Sequence, residues 1–161
     1  MQISIVGLGY VGLSNAVLLA QNNDVRAYDV DANRVQSVNN LVSPINDTDI
    51  QNFLTDKKLN IQATTDAAEA LTGSDLVVIA TPTNYDPVIN YFDVSSVEGC
   101  IGQALNFCPN ADIVIRSTVP VGFVESARSK FKANNIYFAP EFLREGKALL
   151  DNLYPTRVIV G

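Results

Sequence analysis

The first thirty residues constrain the fold of this 161-residue chain more than any other segment. An apolar run, Ile3-Ser4-Ile5-Val6, leads directly into Gly7-Leu8-Gly9-Tyr10-Val11-Gly12, which has the spacing G-x-G-x-x-G. Gly7 permits a tight turn out of a strand, Gly9 lets a ligand approach the backbone, and Gly12 lets the following helix pack close to the sheet. This pattern predicts the first strand, turn and helix of a parallel α/β sheet.

An acidic residue at the end of the next apolar run adds to this pattern. Asp29 lies 22 residues after Gly7, where a carboxylate can accept hydrogen bonds from the ribose hydroxyls of a bound dinucleotide. The unpaired amides and positive dipole end of the helix after the glycine loop suit a pyrophosphate. A strand-turn-helix corner without a ligand is the alternative, but strand, helix and acid together favour a dinucleotide site.

The charge of Asp29 also bears on which dinucleotide binds. A carboxylate at this position repels the 2′-phosphate of NADP, so the sequence predicts NAD as the cofactor. Arg34 follows five residues later, and its guanidinium can contact the cofactor or lie on a solvated helix face. We therefore take Arg34 as a candidate cofactor contact.

Composition and charge argue against several classes of function. The chain has 11 Lys and Arg against 17 Asp and Glu, which argues against a nucleic-acid partner. It has no histidine, the commonest metal ligand, and no apolar run of membrane-spanning length. Two cysteines do not make a disulfide framework, and no signal peptide is recognisable. The sequence therefore predicts a cytoplasmic protein without a metal site or membrane anchor.

Strand and helix patterns alternate along the chain, which predicts a Rossmann-type, doubly wound α/β fold with a mostly parallel sheet and three layers, α/β/α. Continuous apolar runs at residues 76–80 and 113–115 are typical of central parallel strands covered on both faces. The predicted strands cover residues 2–6, 24–29, 59–63, 75–80, 112–116, 135–138 and 157–160. The predicted helices include residues 12–22, 31–40, 47–56 and 94–107, with 82–90 as the longest irregular loop. Asp31 and Asp93 are the predicted N-caps of the second and fourth of these helices.

Polar and glycine-rich segments follow several of the predicted strands. Ligands of open α/β sheets bind beyond the carboxyl ends of the strands. Four segments lie at or just past such ends, namely residues 7–12, 81–83, 117–122 and 140–146. The sequence predicts that these segments converge at one edge of the sheet.

Four motifs occur in an order that is similar to that of a known family. They are Ala80-Thr81-Pro82-Thr83-Asn84-Tyr85, Asn90-Tyr91-Phe92-Asp93, Ser117-Thr118-Val119-Pro120-Val121-Gly122 and Pro140-Glu141-Phe142-Leu143-Arg144-Glu145-Gly146. Together with the glycine loop, they resemble the amino-terminal domain of bacterial UDP-glucose 6-dehydrogenases, in the UDP-glucose/GDP-mannose dehydrogenase family. The resemblance extends over essentially the whole chain.

The resemblance implies an NAD-dependent enzyme that oxidises UDP-glucose to UDP-glucuronate, a polysaccharide precursor, in two hydride transfers through a thioester. It implies that residues 1–161 are the NAD-binding domain of a longer, homodimeric parent. The central helix, the UDP-binding domain and the nucleophilic cysteine of the family would lie beyond this segment. The 161-residue segment alone is therefore expected to be inactive.

The resemblance also implies roles for individual residues. Cofactor-binding positions are Gly7, Gly9, Tyr10, Val11, Gly12, Asp29, Arg34, Thr83, Thr118 and Glu145. The segment that holds the nucleotide sugar is matched by Glu141, Phe142, Leu143, Arg144 and Glu145. Catalytic roles are implied for three residues. Glu141 matches an acid/base in thioester hydrolysis, Glu145 lies near both cofactor and substrate, and Thr118 orders an active-site water.

Each of these residues also has a purely structural interpretation. Thr118 can cap a helix that carries Pro120 in its first turn, and Thr83 can serve only its turn. Glu141 and Glu145 can share the face of a solvated helical turn in which Arg144 pairs with a neighbour, although the flanking proline and glycine favour a shaped loop.

The two cysteines and the identity of the substrate need separate interpretations. Cys100 and Cys108 have no Lys, Arg or His beside them in sequence and match no catalytic position of the family, so we interpret both as incidental thiols. The chain can also belong to a GDP-mannose or UDP-N-acetylhexosamine dehydrogenase, or to a non-catalytic NAD-binding module.

Overall fold

Over residues 1–88 and 91–161, which the computed structural model describes, six strands form one parallel sheet and two more form a short antiparallel hairpin. The strands are β1 Gln2–Val6, β2 Asp24–Tyr28, β3 Ile61–Thr64, β4 Leu76–Ile79, β5 Asn84–Asp86, β6 Tyr91–Asp93, β7 Asp112–Ile115 and β8 Ile136–Phe138. The helices are α1 Tyr10–Leu19, α2 Ala32–Asn39, α3 Thr48–Asp56, α4 Ala67–Leu71, α5 Ser95–Phe107, α6 Phe123–Phe131 and α7 Ala148–Leu153.

The order of strands in the large sheet is β3-β2-β1-β4-β7-β8. Ile3 of β1 lies opposite Val25 of β2 on one side and Leu76 of β4 on the other. The chain thus builds one half of the sheet outward from β1 and then returns to build the other half from β4. This arrangement is the predicted doubly wound Rossmann-type fold, and its switch point lies between β1 and β4.

Helices cover both faces of the sheet, as the predicted three layers require. One apolar cluster joins β4 and β7 to α5 and α6, and it includes Ile79, Ile101, Ile113 and Ala127. A second cluster on the opposite face joins α1, α2, α3 and α7. Because the central strands are buried on both faces, their apolar runs are continuous rather than alternating.

Three helices begin at an aspartate that caps them. Asp31 accepts a hydrogen bond from the Asn33 amide at 2.9 Å, which confirms the predicted cap of α2. Asp66 and Asp47 cap α4 and α3 in the same way. The predicted cap at Asp93 is wrong, because α5 begins one residue later with Val94 in the cap position, although the Asp93 carboxylate accepts the Ser95 amide.

Most predicted strands and helices agree with the structure to within two residues, and three predicted segments differ more. The helix predicted over residues 12–22 is α1 Tyr10–Leu19, because the amides of Asn22 and Asn23 turn back to the Leu19 carbonyl. The loop predicted over 82–90 contains β5, which pairs with β6; Asn90 lies outside the described residues. The strand predicted over 157–160 is irregular and exposed, and only Gly161 exchanges two backbone hydrogen bonds with Phe138.

Candidate functional site

One large cleft lies at the carboxyl edge of the sheet, over the switch point. It has a volume of about 1100 Å³, and loops after β1, β2, β4, β7 and β8 contribute to its walls. The predicted site residues that line it are Gly7, Gly9, Tyr10, Val11, Asp29, Arg34, Thr83, Thr118, Glu141 and Glu145. The predicted convergence of the four segments at one edge is therefore confirmed as geometry.

The three glycines of the first turn serve three different steric needs. Gly7 has φ of +96°, and a Cβ there would lie 2.7 Å from the Ala80 carbonyl oxygen. A Cβ on Gly12 would lie 1.7 Å from the carbonyl oxygen of Gly7, which explains why Gly12 is packed below the cleft rather than lining it. A Cβ on Gly9 would meet nothing within 4 Å. Gly9 therefore leaves open space at the first turn of α1, whose cap position carries no side-chain hydrogen bond.

Asp29 is held rigidly at the end of β2. Its side chain is buried, and its two oxygens accept the amides of Leu8 at 2.6 Å and Asp31 at 2.9 Å. The Nη1 of Arg34 lies 3.6 Å from the same carboxylate. These contacts fix the carboxylate between the glycine loop and α2, at the wall of the cleft. Arg34 therefore faces Asp29 and Asp31 rather than only solvent.

Two hydroxyls join the loops that follow β4 and β7. The Thr83 hydroxyl donates to the Thr118 carbonyl at 2.8 Å, and the Ser117 hydroxyl donates to the Thr81 carbonyl at 2.7 Å. Thr83 therefore links two loops rather than serving its own turn alone. Thr118 is not a helix cap, because α6 begins at Phe123 and its cap position is the left-handed Gly122, four residues beyond Thr118. Its own side chain is exposed at the cleft.

Glu141 lies two residues after Ala139, which continues β8, and its carboxylate is only 11% exposed. It forms an ion pair with the guanidinium of Arg116, the residue directly after β7. The Nδ2 of Asn15 on α1 donates to the same carboxylate oxygen at 3.2 Å. Burial lowers the pKa of Arg116 from its ordinary value, yet a guanidinium stays charged at neutral pH.

The sequence analysis did not single out Arg116 or Asn15. Arg116 directly precedes the recognised Ser117-Thr118 motif, and its position after a buried strand was the available signal. Asn15 gave a second signal, since it is a polar residue on the apolar helix α1 and is only 5% exposed.

The segment from Glu141 to Gly146 is an irregular loop, so the two glutamates do not share a helical face. Only Glu141 and Glu145 of this segment line the cleft. Phe142 is exposed beneath the guanidinium of Arg157, whose Cζ lies 4.4 Å from the ring centre. Leu143 is half-buried. Arg144 does not line the cleft and pairs with Asp151 of α7 at 2.6 Å.

The pair of Arg144 and Asp151 makes the stability of this loop dependent on pH. Hydrogen bonds from Arg144 lower the pKa of Asp151 from 3.8 to about 2. Because the folded-state pKa is depressed, the pair stabilises the fold fully above about pH 4 and loses this contribution as the pH falls through about 2. We expect Asp151→Asn to flatten the fall in urea midpoint between pH 5 and pH 2.5. Asp112→Asn, at an exposed carboxylate of β7, should keep the wild-type slope; equal slopes for all three proteins would contradict the assignment.

Cys100 also lines the cleft, from α5, which the sequence analysis did not predict. Burial raises the pKa of its thiol to about 11 and also raises the pKa of Cys108. A thiol with a raised pKa is a poor nucleophile at neutral pH. Cys100 is therefore a wall of the cleft and not a reactive group.

Comparison with known proteins identifies the family. The whole chain, residues 1–161, matches the model of the UDP-glucose/GDP-mannose dehydrogenase family, NAD binding domain. The chain belongs to this family. The predicted cofactor, NAD, is thereby confirmed, and the open space at Gly9 in a cleft of about 1100 Å³ fits a dinucleotide.

Relatives of known name and structure agree with this membership. The chain is 50% identical over 161 residues to UDP-glucose 6-dehydrogenase of Streptococcus pneumoniae and 46% identical over 163 residues to that of Campylobacter jejuni. These matches cover all of the chain but 41% and 42% of those proteins, so the chain spans about two fifths of the length of the curated relatives it matches. A ternary complex of GDP-mannose dehydrogenase from Pseudomonas aeruginosa has a TM-score of 0.86 at 28% identity, covering 100% of this chain and 41% of that one.

The described part of the chain lacks two further features. Its helices include none that is both long and apolar enough to cross a membrane. Its residues include no group of three or more His, Cys, Asp and Glu side chains that could hold a metal ion.

Proposed function

We propose that this chain is the amino-terminal domain of an NAD-dependent dehydrogenase that oxidises UDP-glucose at C6 to UDP-glucuronate. The two relatives with 50% and 46% identity are both named UDP-glucose 6-dehydrogenase, which supports UDP-glucose over other nucleotide sugars. The observation that carries the proposal is the cleft itself, in which the glycine loop and the glutamate loop, residues 141–146, face the same space. A cofactor and its substrate must share such a space for hydride to pass between them.

The first half of the site serves the cofactor. We assign the pyrophosphate to the open space at Gly9, where the free amides of the first turn of α1 point. The buried carboxylate of Asp29 accepts hydrogen bonds from the adenosine ribose, with Arg34 beside it. Tyr10 and Val11 form the wall at the start of α1, and Thr83 and Thr118 form the wall opposite. When bound, NAD supplies the acceptor for the hydride that leaves the sugar carbon.

The second half of the site serves the sugar. Glu141 and Glu145 line the cleft beside Thr118, and the segment from Phe142 to Arg144 connects the two glutamates. We assign Glu141 as the acid/base for the hydrolytic step, Glu145 to contact with cofactor and substrate, and Thr118 to ordering a water. We assign the backbone of Phe142 and Leu143, which connects the two glutamates, to the nucleotide sugar. The amide and side chain of Arg144 are engaged with Asp151, and its carbonyl accepts the Lys147 amide.

The parent that we propose contains further elements that this chain does not include. Its central helix, which joins subunits, its UDP-binding domain and its nucleophilic cysteine would follow residue 161. Cys100, with its raised pKa, does not replace that cysteine. The 161-residue chain should therefore bind NADH but not reduce NAD with UDP-glucose, and turnover above background would contradict this part of the proposal.

A chimeric enzyme tests whether residues 1–161 support the oxidation of UDP-glucose. The corresponding segment of the Streptococcus pneumoniae UDP-glucose 6-dehydrogenase, 50% identical to this chain, is replaced with residues 1–161. NADH formation is then measured with UDP-glucose, GDP-mannose and UDP-N-acetylmannosamine. We expect turnover with UDP-glucose within about tenfold of that of the Streptococcus enzyme, because the exchanged segments are 50% identical. A folded chimera that binds NADH but does not oxidise UDP-glucose would overturn the proposal.

A further inference from the structure

The described residues that line the cleft include more acidic than basic side chains, which disfavours binding of an anionic ligand. Among the described residues that line it, four are acidic, Asp29, Asp31, Glu141 and Glu145, whereas Arg34 and Arg116 are the cations. Arg34 faces the first two carboxylates from α2. Arg116 is thus the cation at the opposite end of the cleft from Arg34, where the glutamate loop approaches the glycine loop.

Two elements besides its own loop hold the carboxylate of Glu141. Arg116 is fixed at the end of β7 because its amide donates to the Ile79 carbonyl of β4 at 2.8 Å. Asn15 is fixed on α1 because its Nδ2 also donates to the Val11 carbonyl at 2.7 Å. Glu141 is therefore connected both to the sheet and to the helix that begins at the glycine loop.

Three elements bring charged or polar groups to the end of the cleft that holds Glu141. The end of β7 contributes the positive charge of Arg116. The start of α1 contributes Tyr10 at the cleft wall and the neutral Asn15. The glutamate loop contributes a second carboxylate, Glu145, while Arg144 is engaged with Asp151. Without Arg116, this end of the cleft would therefore hold two carboxylates and no cation among its described lining residues.

The burial of Arg116 is costly for stability, which argues that it serves the site. Its side chain is 19% exposed, and its Nε is buried without a hydrogen-bond partner among the described residues. A buried donor without a partner destabilises the fold. Replacing a buried ion pair with apolar side chains is often neutral or stabilising, so such a pair is weak evidence for a purely structural role.

We propose that Arg116 is a positioning residue. It holds Glu141 as a charge-balanced pair against α1, so that the negative dinucleotide can occupy the cleft beside this glutamate. This inference rests on the placement of NAD that we proposed above. Arg116 acts through Glu141 and does not itself take part in proton or hydride transfer.

Calorimetric titration of NADH into the 161-residue chain and its variants tests this inference. In Arg116→Gln, Glu141 is left as an unpaired negative charge, and we expect the Kd to rise by at least about tenfold. Arg116→Lys keeps the charge and should stay within about threefold of the wild type. The decisive variant is Arg116→Gln combined with Glu141→Gln, which removes both charges and should recover binding to within the same range. Arg128 on α6 is a control cation outside the cleft, where it contacts the ring of Tyr137 on β8. Arg128→Gln should therefore not change binding.

Two results would overturn the inference. One is wild-type affinity in a folded Arg116→Gln variant, and the other is a double variant that binds as weakly as Arg116→Gln, because Arg116 would then act on the ligand directly. Thermal unfolding of the wild type, Arg116→Gln, Glu141→Gln and the double variant gives a second readout that does not need NADH. The two single variants should each lower the Tm, and the double variant should lower it by less than their sum. If the wild type bound no NADH, the proposed function would fail, whereas this thermal cycle would still decide whether the pair is coupled.

Discussion

Replacing Gly12 with alanine should reduce the free energy of unfolding by more than about 3 kcal/mol. The added Cβ would lie 1.7 Å from the carbonyl oxygen of Gly7 and 2.9 Å from its carbonyl carbon. Both contacts are to backbone, so no side-chain rotation can relieve them. The first turn of α1 and the end of β1 would have to move apart, which would open the core around Leu13 and Ile5.

Gly102→Ala is the matched control for this substitution. Gly102 lies within α5, and its added Cβ would come no closer than 3.8 Å to a ring carbon of Phe131, an ordinary contact. Alanine is the better helix former by about 1 kcal/mol, so this variant should be as stable as the wild type or more stable. Urea denaturation measures both. An unchanged midpoint for Gly12→Ala would contradict the close packing of α1 on the glycine loop.

Replacing Asp47 with alanine should cost about 2–4 kcal/mol of stability. Asp47 is 3% exposed, and one of its oxygens accepts the amides of Asp49 and Ile50, each at 3.1 Å, at the start of α3. Its other oxygen accepts the amides of Ala148 at 2.7 Å and Leu149 at 3.4 Å, at the start of α7. One carboxylate thus caps two helices, and its loss leaves four amides in a buried place without this acceptor.

Asp66→Ala separates the loss of an ordinary cap from the loss of this double cap. Asp66 accepts two amides of α4 and is exposed to solvent, so water can replace it and the cost should be about 1 kcal/mol. Because α7 carries Asp151, which binds Arg144, Asp47→Ala should also increase hydrogen exchange in the glutamate loop. Equal losses of stability for the two variants would contradict the assignment of Asp47 to both helices.

The sequence predicted the half of the site that depends on local geometry. The spacing of Gly7, Gly9 and Gly12 specifies one turn, and each glycine has the steric reason that the pattern implies. The position of Asp29 follows from the length of one βαβ unit. Apolar runs also predicted the parallel sheet, because strands that are covered on both faces need few polar residues.

Contacts between distant segments could not be predicted in the same way. Arg116 meets Glu141 across two neighbouring strand ends, 25 residues apart, and either residue alone is typical of a solvated loop. Asp47 meets Ala148 at a separation of 101 residues. The apolar residues 158–160 have the composition of a strand, but only their neighbour Gly161 bonds to β8. The local sequence of a segment does not indicate which distant element packs against it.

We propose that NAD occupies the space left open at Gly9, and the side chain of Gly9→Val would fill that space. The backbone of Gly9 has φ of −78° and ψ of −169°, which valine also adopts, and the added Cβ would meet nothing within 4 Å. The variant should therefore fold, with a loss of stability of about 1 kcal/mol because valine is a poorer N-cap than glycine. Calorimetric titration should give saturable NADH binding by the wild type and a Kd raised by more than about tenfold in Gly9→Val. Equal affinities, or a folded wild type that does not bind NADH, would show that NAD does not lie at Gly9.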